Sequence, residues 1–376
     1  MEHVATDLLT PAHRDLAEQA RRDFAALEPA AAPMSDEELV RRVAALRYYD
    51  VLVPAEWGGR AASVDVRSVC VLREELAYVN PAADSVFAVQ GLGSHPVLLG
   101  GSAAQKREHL PRVARGEALF AFALTEPEAG SDVAALATAA QRTASGYVLS
   151  GRKRFISNAG VATHYTVFAR TAPGPKGISA FVIAADTPGF RVAAPMRLMT
   201  EHPIGELEFD GCAVTESARL GHEGDGMRLA LGTLDVFRCT VGAAAVGMAR
   251  RALDEALAYS RGRRQFGAPL ADLQAVQALL ADSAVELDAA RLLVQRAAAA
   301  KDAGAARVTY EAAAAKLFAT EAAQRIVDRC LQIHGGNGVV KGFAVERLYR
   351  DVRALRIYEG ASEIQRLVIA RQLLRA

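Results

Sequence analysis

Apolar residues recur along this chain at two different periods, and the places where the period changes divide it. Up to about residue 118 the spacing is helical. Thr10-Pro11 sets a capping residue before a proline at the first helical position. Ser35 with Glu38 reads as a capping box ahead of Leu39, Val40, Val43 and Leu46. Pro54 and Gly58-Gly59 break the pattern, and Val66 to Tyr78 resumes it with Val69, Leu72 and Leu76 on one face. Glu74 and Glu75 then read as a solvated face. Gly91-Leu-Gly93 is too little for a nucleotide loop and reads as a turn or a close helix–helix contact.

Near residue 119 the texture changes to short runs of β-forming residues: Tyr147–Leu149, Tyr165–Ala169, Ile178–Ile183 and Glu206–Phe209. Ser145-Gly146, Pro173-Gly174-Pro175 and Pro188-Gly189 separate them, which is the pattern of a small antiparallel domain ending near Leu220-Gly221. Helical spacing returns from about Asp225. Met227 to Tyr259 is closed by Gly262, Pro269 opens a second segment running to Gly304, and a third runs from about Val308 to His334, stopped by Gly335-Gly336. Two more follow, Val345 to Leu355 and Ser362 to about Arg375, the last with Ser362 and Gln365 as a capping box. The expected fold is α+β and mostly α: an N-terminal helical domain over 1–118, a middle antiparallel β-barrel domain over 119–221, and a C-terminal four-helix bundle over 222–376.

Composition narrows the partners. With 44 basic and 43 acidic residues there is no field for nucleic acid or an anionic membrane. The alanine runs 297–300 and 312–315 favour helix and are too short to span a bilayer. Cys70, Cys212, Cys239 and Cys330 are far apart and read as buried thiols, and the eight histidines form no metal-spaced cluster. Met1–Asp7 lacks a basic-then-apolar signal pattern, so a mature cytoplasmic protein is expected.

The candidate chemistry centres on Ile357-Tyr-Glu-Gly-Ala-Ser-Glu-Ile-Gln-Arg366. Glu359 lies in a short connection before a helix, after two residues with large apolar bodies and before a glycine that permits close approach. Desolvation there raises a carboxylate towards general-base range, against a modest opposite pull from the helix dipole. An ordinary surface acid is the plain alternative.

Four further stretches bear on that choice: Phe122-Ala-Leu-Thr-Glu-Pro-Glu-Ala-Gly-Ser-Asp132, Gly151-Arg-Lys-Arg-Phe-Ile-Ser-Asn158, Arg263-Arg-Gln-Phe-Gly-Ala-Pro-Leu270 and Gln332-Ile-His-Gly-Gly-Asn-Gly338. In this order and spacing, with the Tyr-Glu-Gly stretch, they resemble the acyl-CoA dehydrogenase family of flavoproteins over nearly the whole chain. No Gly-x-Gly-x-x-Gly follows a strand, so a Rossmann site for the dinucleotide is not indicated.

The resemblance implies FAD held between the β-domain and the C-terminal bundle, and a homotetramer built as a dimer of dimers. It makes Glu359 the catalytic base. Thr125, Ser131 and Ser157 match positions that hydrogen-bond the flavin ring or line its pocket, with Phe155 beside it, and Phe122, Leu124, Gly130 and Ile156 are further cofactor positions. Arg263 matches the arginine that reaches the pyrophosphate, and Gln265, Phe266 and Gln274 adjoin it. Gln332, Gly335 and Gly336 match a segment covering the FAD of the neighbouring subunit, and Ser362 and Glu363 are further cofactor positions. Ser131, Asp235, Arg238 and Gly360 fall at substrate positions. By residue chemistry alone, Thr125-Glu126-Pro127 is also an ordinary turn, Arg263 a helix-end charge, and Asp235 with Arg238 an intrahelical ion pair. Phe237 occupies the place where some relatives carry their base, and His164 departs from an aspartate common in the family.

The implied reaction is α,β-dehydrogenation of an acyl-CoA to the trans-2-enoyl-CoA, with electrons leaving through an electron-transferring flavoprotein. Alternatives on the same fold are an acyl-CoA oxidase, a dehydrogenase of carrier-protein thioesters in a biosynthetic pathway, and a non-enzymatic flavin-binding protein.

Overall fold

Helix punctuation in the sequence is obeyed at most ends. The computed structural model describes residues 8–29, 34–174 and 176–374; Met1–Asp7, Pro175 of the expected turn and Arg375 lie outside them. Helix α1 (Pro11–Phe24) starts at the proline, and α2 (Asp36–Ala45) starts after Ser35, whose hydroxyl accepts from the Glu38 amide at 3.2 Å. Next come α3 (Val66–Val79), α4 (Pro81–Gly100) and α5 (Ala103–Ala114). The strands are β1 (Phe120–Ala123), β2 (Ala139–Arg142), β3 (Gly146–Ser157), β4 (His164–Arg170), β5 (Ile178–Ala184), β6 (Phe190–Pro195), β7 (Ile204–Thr215) and β8 (Arg219–Leu220). Then α6 (Gly226–Gly262) leads to a hairpin of β9 (Arg264–Gln265) and β10 (Ala268–Pro269), and on to α7 (Gln274–Asp302), α8 (Thr309–His334), α9 (Ala344–Leu355) and α10 (Ser362–Leu373). The fold is mostly helical with a central sheet, as expected. Pro269 does not open α7; it pairs with Arg264 in the hairpin, and the helix begins at Gln274.

The chain forms two compact units. One comprises Met34–Asp65 and Ser85–Phe237; the other comprises Val66–Asp84, the residues from Arg238 onwards, and the N-terminal helix. The first unit carries an eight-stranded sheet ordered β6-β7-β3-β2-β4-β5-β8, with β1 beside β4. Most pairings are antiparallel; β1 and β2 run parallel to β4. Tyr147, Leu149, Tyr165, Val167, Phe181, Leu207 and Phe209 fill the core on the sheet. The sequence pattern located β3, β4, β5 and β7 but not β1, β2 and β6, which are six residues or fewer and show no sustained alternation. Gly91 lies inside α4, where a Cβ would come within 2.3 Å of the Phe237 ring, so the expected close contact is present.

In the second unit α8 packs on α7, α9 and α10, and α3 on α1 and α7. Helix α6 joins them at Gly242, where a Cβ would sit 2.7 Å from Val294 and 3.3 Å from Ala319. The expectation for Glu74 and Glu75 needs correction: they are not a solvated face. Glu75 is 3% exposed and bonded by Arg21 and Arg250 at 2.9 and 2.6 Å, and Glu74 is bonded by Arg250 and Arg291 at 3.0 and 2.9 Å. Arginines from three other helices supply the counter-charge that lets these acids enter the interior. All four cysteines are free and buried.

Candidate active site

Two clusters emerge, one in each unit. The helical unit holds Glu359. Between α9 and α10 the chain turns through an elbow in which Glu359 has φ 51° and Gly360 φ 92°. A non-glycine residue in the left-handed region costs on the order of 1–3 kcal/mol and persists only where surroundings enforce it. Here Gln365 Nε2 donates to the Glu359 carbonyl at 3.3 Å and the Gly360 carbonyl at 2.8 Å, while Lys316 Nζ donates to the same Gly360 carbonyl at 2.9 Å. The expected Ser362–Gln365 capping box is therefore not formed. Ala361 is the N-cap, the Gln365 side chain reaches back over the elbow, and the Ser362 hydroxyl donates to Glu321 at 2.6 Å.

The Glu359 carboxylate has one enclosed oxygen. Its Oε2 has less than 1 Å² of accessible surface and no hydrogen-bond partner among the described residues. Its amide likewise has no backbone acceptor among them. Burial pushes the carboxyl up to about 7, against the opposing charges of Arg73, Lys316 and Arg238; Asp84 adds to the rise. The plain surface-acid alternative does not survive this environment. Arg73 and Asp84, each 1% exposed, form a bidentate pair at 2.8 Å, and the third arginine nitrogen donates to Thr240 at 2.8 Å.

The same unit carries Arg263, Gln265, Phe266 and Gln274 at the β9–β10 hairpin and the start of α7. All four are exposed. Phe266 (φ 52°) and Gly267 (φ 83°) form a left-handed two-residue tip of the type that suits hairpin twist, and Phe266 is 93% exposed. Gln332, Gly335 and Gly336 close α8; a Cβ on either glycine would meet no atom within 4 Å. Glu363 is exposed, whereas Ser362 is buried with its hydroxyl committed to Glu321. Arg238 is buried and acts electrostatically on Glu359.

The sheet unit holds the second cluster. The loop after β1 is a tight turn in which Glu126 and Ala129 exchange backbone hydrogen bonds at 3.0 and 3.2 Å. Glu126 is fixed by Lys153 Nζ at 2.7 Å and by the amides of Ala137 and Thr138 at 2.6 and 3.0 Å, and Lys153 also donates to the Leu124 carbonyl at 3.0 Å. This clamp fixes the loop carrying Thr125, Gly130 and Ser131, and the hydroxyls of Thr125 and Ser131 have no partner among the described residues. On β3 the register shifts between Lys153 and Ile156, and Phe155 sits in that irregularity at φ 57° with its ring half exposed. The bulge turns outward a side chain that strict alternation would place otherwise. Ser157 Oγ is 3.2 Å from His202 Nε2, Leu124 and Ile156 are buried, and the Phe122 ring packs on Phe168. Asp235, half-buried on α6, belongs to this unit.

These residues suit a flavin dinucleotide. In the sheet unit the unspent hydroxyls and the outward aromatic suit a ring with carbonyl oxygens, and in the helical unit the exposed guanidinium and the glycines open to close approach suit a pyrophosphate.

Comparison with known proteins decides the family. The N-terminal, middle and C-terminal domains of acyl-CoA dehydrogenases match residues 10–117, 121–212 and 224–374. The chain belongs to the acyl-CoA dehydrogenase family. As in that family, it is an FAD-dependent oxidoreductase acting on the CH–CH group of acyl-CoA. It is 40% identical to the probable acyl-CoA dehydrogenase FadE25 of Mycobacterium tuberculosis, over 98% of this chain and 95% of that one. It is 39% identical to the 3-(aryl)acrylate reductase of Clostridium sporogenes, over 96% and 98%. The solved butyryl-CoA dehydrogenase of Megasphaera elsdenii superposes with TM-score 0.93 at 35% identity, over 98% and 99%.

Sequence reasoning missed Arg73, Lys316 and Lys153 although each left a signal. Lys316 interrupts the buried stripe Ala312, Ala313, Ala319, Ala323 at helical spacing, and Arg73 sits on the face of Val69 and Leu76. Lys153 takes the inward place between Arg152 and Arg154. A lone cation on an apolar face is a cue to look for a buried partner.

Proposed function

We propose that this acyl-CoA dehydrogenase removes the α-proton of an acyl-CoA with Glu359 as general base, yielding the trans-2-enoyl-CoA. The observation that carries the reading is the buried, unbonded Glu359 Oε2 with proton affinity near neutrality on a fixed left-handed elbow. Thr125, Ser131, Phe155, Ser157, Arg263, Gln265, Phe266, Gln274, Gln332, Gly335 and Gly336 would hold FAD, which supplies the acceptor for the hydride leaving the β-carbon. The α C–H bond breaks with its proton going to Glu359 Oε2 and its electron pair forming the new double bond. The Glu359 amide, with no backbone acceptor among the described residues, is available to polarise the thioester carbonyl as an oxyanion-hole donor. Arg238, Asp235, Ser131 and Gly360 are the substrate-side residues of this reading.

The two electrons must then leave, and an electron-transferring flavoprotein is the proposed acceptor. A homotetramer is the proposed assembly; the exposed Phe266 at the hairpin tip, with Val339 and Val340 exposed beyond α8, supports a second copy covering these elements.

A base with a pKa of about 7 populates both forms at neutral pH, so the same carboxyl can return a proton to the α-carbon. The likeness to a 3-(aryl)acrylate reductase favours keeping that reverse direction as a second reading. The deciding experiment is anaerobic single-turnover bleaching of the flavin by straight, branched and cyclic acyl-CoAs, set against reoxidation of reduced protein by the matching enoyl-CoAs. Bleaching by at least one saturated thioester is expected. Reoxidation alone would assign the chain to reduction, and neither signal would overturn both readings. Repeating productive reactions with oxygen, and with carrier-protein thioesters, separates an oxidase or a biosynthetic dehydrogenase.

A further inference from the structure

Lys316 is 0% exposed, set in α8 among alanines. A buried ammonium is costly unless its charge and donors are used. Its one described hydrogen bond is to the Gly360 carbonyl at 2.9 Å, and no carboxylate of the described residues lies within 4 Å to form an ion pair with it. Methionine would fill the same stem volume without the desolvation penalty, so the packing of α8 does not explain a lysine. The acceptor it reaches does: Gly360 carbonyl is the pivot of the elbow, and the residue before it is the left-handed Glu359.

We propose that Lys316 is a positioning residue for the base: by holding the Gly360 carbonyl it keeps the Glu359–Gly360 elbow in the form that leaves the Glu359 carboxylate and amide unbonded, and its charge favours the ionised carboxylate. This rests on the reading of Glu359 as base. Gln365 supplies donors to the same carbonyl but no charge, so the two anchors divide the work. With its carbonyls engaged, the elbow cannot relax by turning a peptide towards the carboxylate. The charged and titratable groups acting on Glu359 are Arg73 from α3, Asp84 from α4, Arg238 from α6 and Lys316 from α8. Tyr358 precedes it in the same turn. Burial depresses Lys316 itself to about 8, against the pull of Glu359, so it remains mostly cationic at pH 7.

The test uses the FAD-loaded full chain. Glu359 protonation is followed by infrared titration of its carboxyl band, assigned by its loss in Glu359→Gln, so the readout stands even if no acyl-CoA bleaches the flavin. In Lys316→Met the midpoint should rise by roughly one pH unit, the order expected for removing one nearby opposite charge. Bleaching by a productive acyl-CoA at pH 7 should slow by about fivefold or more, because a one-unit rise from about 7 cuts the ionised fraction at pH 7 from about a half to about a tenth. In Lys316→Arg the midpoint should stay near wild type, because the charge remains, while bleaching slows because the donor geometry changes. Gln365→Leu should likewise slow bleaching without moving the midpoint. An unmoved midpoint in Lys316→Met, or a midpoint in Lys316→Arg that rises as far as in the methionine variant, would overturn the proposal. If Lys316→Met does not fold, the Arg and Gln365→Leu variants decide it: wild-type bleaching in both removes the positioning role. Failure of every acyl-CoA with the midpoints behaving as stated would instead count against the dehydrogenase reading alone.

Discussion

Each unit of this protein holds a buried lysine near a glutamate, and the two arrangements do opposite things. In the sheet unit Lys153 bonds Glu126 directly, and two backbone amides take up the rest of the carboxylate. Burial alone would raise Glu126, but the Lys153 charge and these hydrogen bonds outweigh it and hold the acid below its ordinary value. In the helical unit Lys316 bonds a carbonyl instead, Glu359 Oε2 bonds nothing, and burial raises the acid to about 7. Both lysines are pulled down to about 8 by burial. Residue types are thus shared, and what separates the two acids is whether the acceptor capacity is spent inside the fold. A carboxylate with both oxygens hydrogen-bonded inside the fold is a clamp; one with a buried, unbonded oxygen is left available to take up a proton.

The comparison breaks most directly at Glu359. Glu359→Gln keeps the shape and removes the proposed base, and bleaching by a productive acyl-CoA should slow by about 10²–10⁴-fold or more. FAD content should stay at wild type. A wild-type bleaching rate would place the base elsewhere.

Glu126→Gln should act on stability rather than chemistry. It leaves Lys153 buried without its counter-charge, at a cost of about 3–5 kcal/mol. A lower denaturant midpoint and weaker FAD retention are expected, since the clamp fixes the loop of Thr125 and Ser131. Unchanged stability would mean that Glu126 is not the clamp.

The pH dependences should carry opposite signs. Glu126 has a lowered folded-state value, so its stabilisation is present above the unfolded carboxylate range and is lost as the pH falls through the folded value. Glu359 has a raised value, so the native state holds a proton between its ordinary 4.5 and about 7 that the unfolded chain does not, and its contribution to stability declines as pH rises through that window. Activity follows the ionised form, so the acid limb of the bleaching rate should have its midpoint near 7. A limb near 4.5 would show that Glu359 is solvated.

The smallest effect should come from the Arg73–Asp84 pair. Asp84→Asn removes a negative charge that raises Glu359 and should move the acid limb down; Arg73→Leu removes a positive one and should move it up, each on the order of one unit or less. Shifts in the same direction would mean that both variants act through packing.

Much of the fold was legible because helices announce themselves over many residues. Thr10-Pro11, Ser35 and Gly335 marked helix ends, and the four longer strands showed their pattern. Strands as short as Phe120–Ala123 left no periodic signal. Ser362 with Gln365 satisfied the local rule for a capping box, yet Gln365 found better acceptors in two elbow carbonyls. Glu74 and Glu75 read as solvated because the arginines that bury them come from residues 21, 250 and 291.

The sequence by itself determined the order of helices, strands and helices, the family through its joined motifs, and Glu359 as the acid to examine, since these depend on neighbours within a few residues. Only the tertiary structure decided the protonation of that acid. Proton affinity is set by burial and by charges that the fold brings from residues 73, 84, 238 and 316, and no local pattern around residue 359 records whether its lone pairs will be left without a partner.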